Sequence, residues 1–225
     1  MADSQVTVHY TANDAELTVT YVDDVTGDTV TTAKLTGKTD GMGTYAVTTP
    51  AHYALADGQS GSVNYTFAAD DSDNVTVHLT HAVGHSTATT TRTVNYVVTG
   101  KAELNPQSVT QSLTWNVATD EVTGTITATP QGEYAGVTSP TVNGYTADGD
   151  VSAVRATATT GMPGDAADVT VTYAANPATL TVRYVDDVTG EQVTSATLTG
   201  VTDGTVRTTC RHRRTTAWLM DSPLR

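Results

Sequence analysis

AELTVTYVDDVTGDTVTTAKLTGKTDG at residues 15–41 returns as ATLTVRYVDDVTGEQVTSATLTGVTDG at residues 178–204. Twenty of these 27 aligned positions are identical, and no gap is needed. The segments that precede them also match, VTVHYTAND at 6–14 and VTVTYAANP at 169–177. The sequence therefore repeats with a period of 163 residues. Such self-similarity indicates tandem structural repeats, and we expect residues 1–14 to be the end of a preceding repeat.

Apolar residues and threonines alternate through these segments. Leu17, Val19 and Tyr21 share one face of an extended chain, and the polar residues between them share the other. A period of two predicts half-buried strands. The same alternation predicts strands at 75–79, 92–98, 107–118, 125–129 and 168–173.

Turn residues separate the predicted strands. Asp23 to Asp28 reads DDVTGD, and Asp and Gly accept the backbone angles of a hairpin turn. The same motif lies at 186–191. We predict a mainly β fold, with α+β possible through one short helix around 55–60.

Domain boundaries follow from composition. Residues 81–91, HAVGHSTATTT, are small and polar, which is typical of an inter-domain linker. We therefore predict a first domain at 15–80, a second at 92–175, and the truncated start of the next domain at 178–206.

The last residues differ from everything before them. Residues 207–225, RTTCRHRRTTAWLMDSPLR, hold five of the eleven basic residues, the single cysteine and one of the two tryptophans. In the neighbouring reading frame, the permitted codons of this tail allow a sequence like YAVTTPAHYALADGQS at 45–60. We hypothesise that 207–225 is a frameshift product; a natural basic tail is the alternative.

Charge and cysteine content exclude several classes of protein. The chain of 225 residues has a formal net charge of −13, which disfavours binding to nucleic acid or to an anionic membrane. The lone Cys210 excludes a disulfide framework. No apolar run approaches the ~20 residues that span a bilayer, and Met1 is not followed by a signal peptide. We expect any export signal and wall anchor to lie outside these residues.

The first predicted domain resembles the MucBP domain of mucus-binding (Mub-type) surface proteins. The residues that carry the resemblance are Leu17-Thr-Val-Thr-Tyr21-Val-Asp23-Asp24-x-Thr26-Gly27, Gly37-x3-Gly41, Tyr53-x-Leu55 and Val75-Thr-Val77.

The second predicted domain is similar to the larger partner domain of the Mub repeat. The residues that carry this similarity are Arg92-Thr-Val-Asn-Tyr96, Pro106-x2-Val109-x-Gln111-x-Leu113, Asp120-x2-Thr123-Gly124 and Ser139-Pro140-x3-Gly144-Tyr145.

The resemblance implies tandem β-grasp (ubiquitin-like) domains in an elongated repeat array. It also implies a protein anchored to the cell wall of a Gram-positive bacterium, and adhesion to mucin glycans or, in some members, to immunoglobulins. Aromatic residues that could stack on sugars are few in the partner domain. Trp115 and Tyr134 are the candidates for ligand binding.

Two polar clusters contain residue types that can bind metal ions. His78, His81 and His85 are predicted to be solvated, since structural zinc sites need four fixed ligands. The acidic run from Asp70 to Asn74 lacks the glycine and glutamate of an EF-hand, so we predict a solvated turn.

No arrangement for acid–base catalysis, no phosphate-binding loop and no cofactor site is predicted. Asp23 and Asp24 are interpreted as turn residues. Lys34, Lys38 and Lys101 are possible partners of an Asn in an isopeptide bond. The sequence thus favours a non-catalytic adhesion module that binds mucin glycans. The alternatives are a structural spacer and an immunoglobulin-binding module.

Overall fold

The computed structural model describes residues 3–211 and 217–223, and β-strands account for nearly all of its regular structure. Within the described residues there is no α-helix, and single 3-10 turns lie at Asp71–Asp73 and Ala102–Leu104. The strands are β1 (Asp14–Asp23), β2 (Thr29–Lys38), β3 (Met42–Ala46), β4 (Tyr53–Leu55), β5 (Ser62–Thr66), β6 (Val75–His81), β7 (Val83–Val98), β8 (Val109–Asp120), β9 (Ile126–Pro130), β10 (Glu133–Tyr134), β11 (Tyr145–Ala147), β12 (Val154–Arg155), β13 (Thr159–Thr160), β14 (Val169–Ala175), β15 (Pro177–Val185), β16 (Gln192–Val201), β17 (Thr205–Arg211) and β18 (Ala217–Pro223). The predicted mainly β class is confirmed.

The chain divides into two compact units. The first unit contains the residues up to Thr87 together with 116–128 and 159–162. The second unit contains 88–115, 129–158 and the residues from Pro163 onward. The domain boundaries expected from composition stay a prediction.

The first unit is built on a four-stranded sheet with the order β2-β1-β6-β4. Strand β1 pairs antiparallel with β2 and parallel with β6, where Val19 lies opposite Val75. The alternation predicted from sequence sets the buried face, because every second residue of a strand points the same way. The core of this unit consists of Leu17, Val19, Tyr21, Phe67, Val77 and Leu79. Strands β3 and β5 form a separate two-stranded antiparallel sheet.

The second unit shows the same local pattern. Strand β14 pairs parallel with β7, where Val169 lies opposite Val94, and antiparallel with β11. These strands belong to a sheet with the order β11-β14-β7-β8-β9-β13. The core of this unit consists of Val94, Tyr96, Val98, Tyr145, Val151, Val171 and Tyr173.

Two expectations about local structure have different outcomes. The predicted linker at 81–91 is extended chain, since His81 ends β6 and β7 begins at Val83, and its role as a linker stays a prediction. Small polar residues suit a linker, but threonine is β-branched and also suits an exposed strand. The short helix expected around 55–60 is absent; strand β4 ends at Leu55 and a turn follows at Asp57–Gly58.

The repeated sequence forms the same hairpin twice. Leu17 lies opposite Leu35 in β1–β2, and Leu180 lies opposite Leu198 in β15–β16. Both hairpins shift register at the same place, after Tyr21 and after Tyr184. In the basic tail, β17 pairs antiparallel with β18. Residues 212–216 and 224–225 lie outside the described residues, and the frameshift origin of the tail stays a prediction.

Candidate functional site

Trp115 and Tyr134, the two aromatic residues expected to meet a ligand, are both buried in the second unit. Trp115 is 5% exposed and Tyr134 is 3% exposed. Stacking on a sugar requires a free ring face, and neither ring offers one in this structure. The site described below therefore does not include them.

The polar atoms of these two rings are satisfied internally. The Trp115 Nε1–H donates to Thr90 Oγ1 over 2.8 Å, and the Thr90 hydroxyl lies 2.7 Å from the Tyr134 hydroxyl. The Arg92 guanidinium lies over the Tyr134 ring, 5.3 Å from its centroid. Arg92 also donates to the side-chain oxygen of Gln111 and to the carbonyl oxygen of Ala135. This cluster stabilises the second unit, because buried polar groups are costly unless they are hydrogen-bonded.

The two-stranded β3–β5 sheet of the first unit presents an exposed, mainly polar face. Its exposed residues alternate along both strands, as the pleat requires: Met42, Thr44, Ala46, Ser62, Asn64 and Thr66. Thr44 lies opposite Asn64, and its hydroxyl donates to Asn64 Oδ1 over 2.7 Å. A shallow surface pocket lies here, lined by Met42, Gly43, Thr44, Asn64, Tyr65 and Thr66.

The chemistry of this exposed face suits an uncharged polar ligand. An amide group carries two N–H donors, and a hydroxyl both donates and accepts. The Tyr65 ring, half-buried beside them, packs edge-to-face on Phe67 with centroids 5.2 Å apart. Sequence reasoning missed this face, although the alternation in SVNYT at 62–66 was a signal for it. We name the exposed side of this two-stranded sheet the β3–β5 face.

A second polar cluster of the first unit is built on two turns with the pattern Asp-x-Val-Thr-Gly. In the turn after β1, Asp23 Oδ1 accepts the Val25 N–H over 2.9 Å, and the Thr26 hydroxyl donates to Asp23 Oδ2 over 3.0 Å. In the turn after β8, Asp120 Oδ1 accepts the N–H groups of Val122 and Thr123. The interpretation of Asp23 as a turn residue is confirmed, and Asp120 has the same role.

His81 lies between these two turns. Its Nε2 lies 3.0 Å from Asp23 Oδ2, and its Nδ1 lies 2.6 Å from Asp120 Oδ2. The side chains of His81 and Asp23 are 5% and 3% exposed, and that of Asp120 is 28% exposed. The prediction that His81 is solvated is wrong. Val75, Val77, Leu79 and His81 alternate along one strand, so the sequence carried a signal that His81 shares the buried face.

His81, Asp23 and Asp120 stabilise one another's charged forms. The hydrogen bonds to Asp120 and then to Asp23 raise the pKa of His81 above 6.5, against the opposing effect of burial. The hydrogen bond from His81 and the N–H of Thr123 lower the pKa of Asp120 to about 2. Burial acts to raise the pKa of Asp23, but the Val25 N–H and His81 outweigh it and lower that pKa. With both ring nitrogens facing carboxylates, the arrangement favours a doubly protonated imidazolium.

Charged and aromatic neighbours surround this cluster. His52 Nδ1 lies 3.6 Å from Glu121 Oε2, and both side chains are largely exposed. The Tyr53 ring contacts His81 edge-on, with centroids 5.8 Å apart. His78 Nδ1 lies 2.6 Å from Asp24 Oδ1 at the surface. We name His81, Asp23 and Asp120 the histidine clamp.

The acidic run at 70–74 contributes to the fold of the first unit. Asp73 Oδ2 accepts the Ala68 N–H over 2.8 Å, and Asn74 Oδ1 accepts the Thr18 N–H over 2.8 Å. Asp70 accepts hydrogen bonds from Ser72, which lower its pKa. Backbone and hydroxyl groups thus occupy oxygens that a cation would need.

The three lysines that could form an isopeptide bond face carboxylates at the surface. Lys34 Nζ lies 3.4 Å from Glu16 Oε2, Lys38 Nζ lies 2.7 Å from Asp14 Oδ1, and Lys101 Nζ lies 3.7 Å from Glu103 Oε1. Among the residues that the structure describes, no group of three His, Cys, Asp or Glu side chains is arranged to hold a metal ion. None of the described helical segments is long and apolar enough to cross a membrane.

Two family models match the chain in adjoining stretches. The mucin binding domain model matches residues 15–81, and the Muc B2-like domain model matches residues 81–177. The comparison with curated protein sequences gives no match.

Several solved structures are similar to parts of the chain. Mub-RV is 25% identical, over 72% of this chain and 99% of its own, with a TM-score of 0.35. A domain of an adhesion exoprotein from Pediococcus pentosaceus is 43% identical, over 31% of this chain and 91% of its own, with a TM-score of 0.28. The type 2 repeat of the mucus binding protein MUB from Lactobacillus reuteri is 20% identical, over 72% of this chain and 100% of its own, with a TM-score of 0.30.

Proposed function

Because the chain belongs to the Mub-type mucus-binding repeats, we propose that it is a non-catalytic adhesion module that binds the glycans of mucin. Both family models describe adhesion domains, and neither describes an enzyme. In this proposal the module is carried on a Gram-positive cell-wall protein. The order β2-β1-β6-β4, with a parallel central pair, supports a β-grasp fold for the first domain.

The observation that carries the proposed site is the exposed β3–β5 face. Asn64 and Thr44 stand side by side there, together with the hydroxyls of Ser62 and Thr66. Amide and hydroxyl groups match the hydroxyls of a sugar, and a few such contacts fix the orientation of a ligand in a shallow site. One hydrogen bond contributes only about 0.5–1.5 kcal/mol, so a single module binds weakly. Repetition of the module along a chain raises the overall avidity.

The charge of the chain restricts the glycans further. A net charge of −13 repels sialylated or sulfated sugars. Lys34 and Lys38, the lysines of the first unit, already face Glu16 and Asp14. We therefore propose that the β3–β5 face binds neutral sugar residues of mucin rather than its acidic termini.

The test measures binding of the chain to immobilised mucin by surface plasmon resonance. The mucin is used intact, after removal of sialic acid, and after removal of its O-glycans. We expect loss of binding only after O-glycan removal, and unchanged or stronger binding after removal of sialic acid. Asn64→Ala is expected to weaken binding roughly twofold to tenfold, as the loss of one hydrogen bond predicts. Thr32→Ala, an exposed threonine of β2, is the matched control.

Other outcomes separate the alternative functions. Binding that survives O-glycan removal contradicts the glycan proposal. A folded chain that binds no form of mucin favours the spacer, which the burial of Trp115 and Tyr134 also favours. Binding to immobilised immunoglobulin instead points to strand addition, for which the edge strand β2 is suited.

A further inference from the structure

A close joint lies within the second unit, where the turn at Thr202–Asp203 meets Gly144 and Tyr145. The Tyr145 hydroxyl donates to Asp203 Oδ2 over 3.1 Å, and the Tyr145 side chain is buried, with 6% exposure. A Cβ atom added to Gly144 would lie 2.5 Å from Thr202 Cγ2, which is closer than any real Cβ contact. Only glycine allows this approach, and Gly144 also has a φ of +80°.

Asn176 connects the two sides of this joint. Its backbone N–H donates to the Gly144 carbonyl oxygen over 2.9 Å. Its own carbonyl oxygen accepts the Thr202 N–H over 2.8 Å and the Thr202 hydroxyl over 3.3 Å. The joint thus has one side at 144–145, a connecting residue at 176 and a second side at 202–203.

The first unit contains counterparts of the connecting residue and of the second side of this joint. One period of 163 residues before Asn176, Thr202 and Asp203 stand Asn13, Thr39 and Asp40. The Thr39 N–H donates to the Asn13 carbonyl oxygen over 3.0 Å, and the Thr39 hydroxyl donates to the same oxygen over 3.4 Å.

The turn itself also has the same shape in both places. Asp40 has a φ of 64° and Asp203 a φ of 56°, a conformation that few non-glycine residues adopt. Gly41 N–H donates to the Lys38 carbonyl oxygen, and Gly204 N–H donates to that of Val201. The connecting residue and the turn are thus formed in the first unit, and the Asp40 residue is exposed.

We propose that Thr39 and Asp40, with Asn13, form a docking surface for a second copy of this repeat. The glycine and tyrosine of that copy at the positions of 144 and 145 occupy the surface, and the tyrosine hydroxyl donates to the Asp40 carboxylate. The joint then recurs at every period and sets the angle between consecutive repeats. This inference goes beyond the proposed adhesion, because it needs no mucin ligand.

The experiment uses a chain in which residues 15–177 are present twice in tandem. Spin labels are attached at the exposed Ser112→Cys of the first copy, in the same unit as Tyr145, and at Val25→Cys of the second copy, with Cys210 replaced by Ser. We expect a narrow distance distribution between the labels. Asp40→Ala in the second copy, or Tyr145→Phe in the first, is expected to widen that distribution at least twofold.

Controls keep the result interpretable. Asp57→Ala in the second copy changes another exposed carboxylate of the same unit and is expected to leave the width unchanged. Circular dichroism of each variant establishes that it is folded, which is required for Asp40→Ala because alanine adopts the positive φ of this position only at a cost. A distribution that is already broad in the parent tandem chain overturns the proposal, as does a narrow one that neither Asp40→Ala nor Tyr145→Phe affects.

Discussion

His81 holds together two turns that are far apart in the sequence. Asp23 is 58 residues before it and Asp120 is 39 residues after it. A buried carboxylate that loses its cationic partner is strongly unfavourable, because little water is present to solvate it. The clamp therefore makes the stability of the first unit depend on the charge of one imidazole.

The clamp predicts a pH dependence with a definite sign. The folded pKa of His81 is raised above 6.5, so its contribution to stability is complete below pH 6.5 and is lost as the pH rises through the folded pKa. The folded pKa values of Asp23 and Asp120 lie below 3.8, so their contributions are complete above pH 3.8 and are lost in stronger acid. We expect the clamp to stabilise the first unit most between about pH 4 and 6.5.

His81→Gln tests this pH dependence. The neutral amide removes the cation, and we expect the midpoint temperature of unfolding at pH 5.5 to fall by roughly 5 °C or more. We also expect the variant to lose the decrease in stability above pH 6.5. Thermal unfolding followed by circular dichroism from pH 4 to 9 measures both effects. His85→Gln, at an exposed histidine of β7, is the control; equal pH profiles for His81→Gln and the parent would contradict the clamp.

At the scale of elements, the Asp-x-Val-Thr-Gly turn recurs after β1, after β8 and after β15. In each turn the aspartate carboxylate accepts backbone N–H groups, and the glycine N–H donates to the aspartate carbonyl oxygen. The glycines, Gly27, Gly124 and Gly190, have φ values between +70° and +81°. Aspartate and glycine are thus required for different reasons, one as an acceptor and the other for its backbone freedom.

Gly27→Ala tests the requirement for glycine in this turn. An added Cβ at Gly27 has open space around it, so the expected cost comes from the left-handed backbone alone. We expect the free energy of unfolding to fall by about 1 kcal/mol. Gly61→Ala is the matched control, because Gly61 has the same open surroundings and no positive φ. Urea unfolding measures both variants, and equal losses would contradict the explanation.

At the scale of the whole molecule, the same sequence has different surroundings at its two occurrences. Val171 and Tyr173 of β14 are 3% and 1% exposed. Their counterparts one period earlier, Val8 and Tyr10, are 66% and 92% exposed. The expectation that residues 1–14 are the end of a preceding repeat stays a prediction; the sheet of such a repeat would cover Val8 and Tyr10.

A pair of substitutions one period apart tests this dependence on surroundings. We expect Val171→Ala to lower the free energy of unfolding by about 2 kcal/mol, because it removes buried methyl groups from the core of the second unit. Val8→Ala is expected to change it by less than about 0.5 kcal/mol. Urea unfolding of the two variants measures the difference. A similar loss for Val8→Ala would indicate that residues 6–10 are packed in solution.

Much of the architecture could be predicted because its causes are local. Alternation placed Leu17, Val19 and Tyr21 on the buried face, and the Asp-Gly pattern located the hairpin turn after β1. The strand through 83–91 could not be predicted in the same way. An exposed strand without apolar residues has the same composition as a linker, and only pairing with a neighbouring strand distinguishes them.

The candidate sites depended more on tertiary structure. Composition pointed to Trp115 and Tyr134 as rare aromatics, but a ring is available to a ligand only if no neighbour covers it. Both residues are buried in this structure, and the Arg92 guanidinium lies over the Tyr134 ring. The β3–β5 face combines residues of two strands, so its chemistry exists only once Thr44 and Asn64 are paired.

The sequence by itself determined the repeat, the β class and the turns, because each follows from the order of residues along a few positions. Tertiary structure alone decided which aromatics are buried, which carboxylates His81 faces, and which copy of a repeated strand is covered. Burial and charge pairing are properties of neighbours in space, and those neighbours are 25 residues apart for Trp115 and Thr90 and 58 for His81 and Asp23. No local pattern encodes such a distance, so the candidate binding surface emerged only from the packed strands.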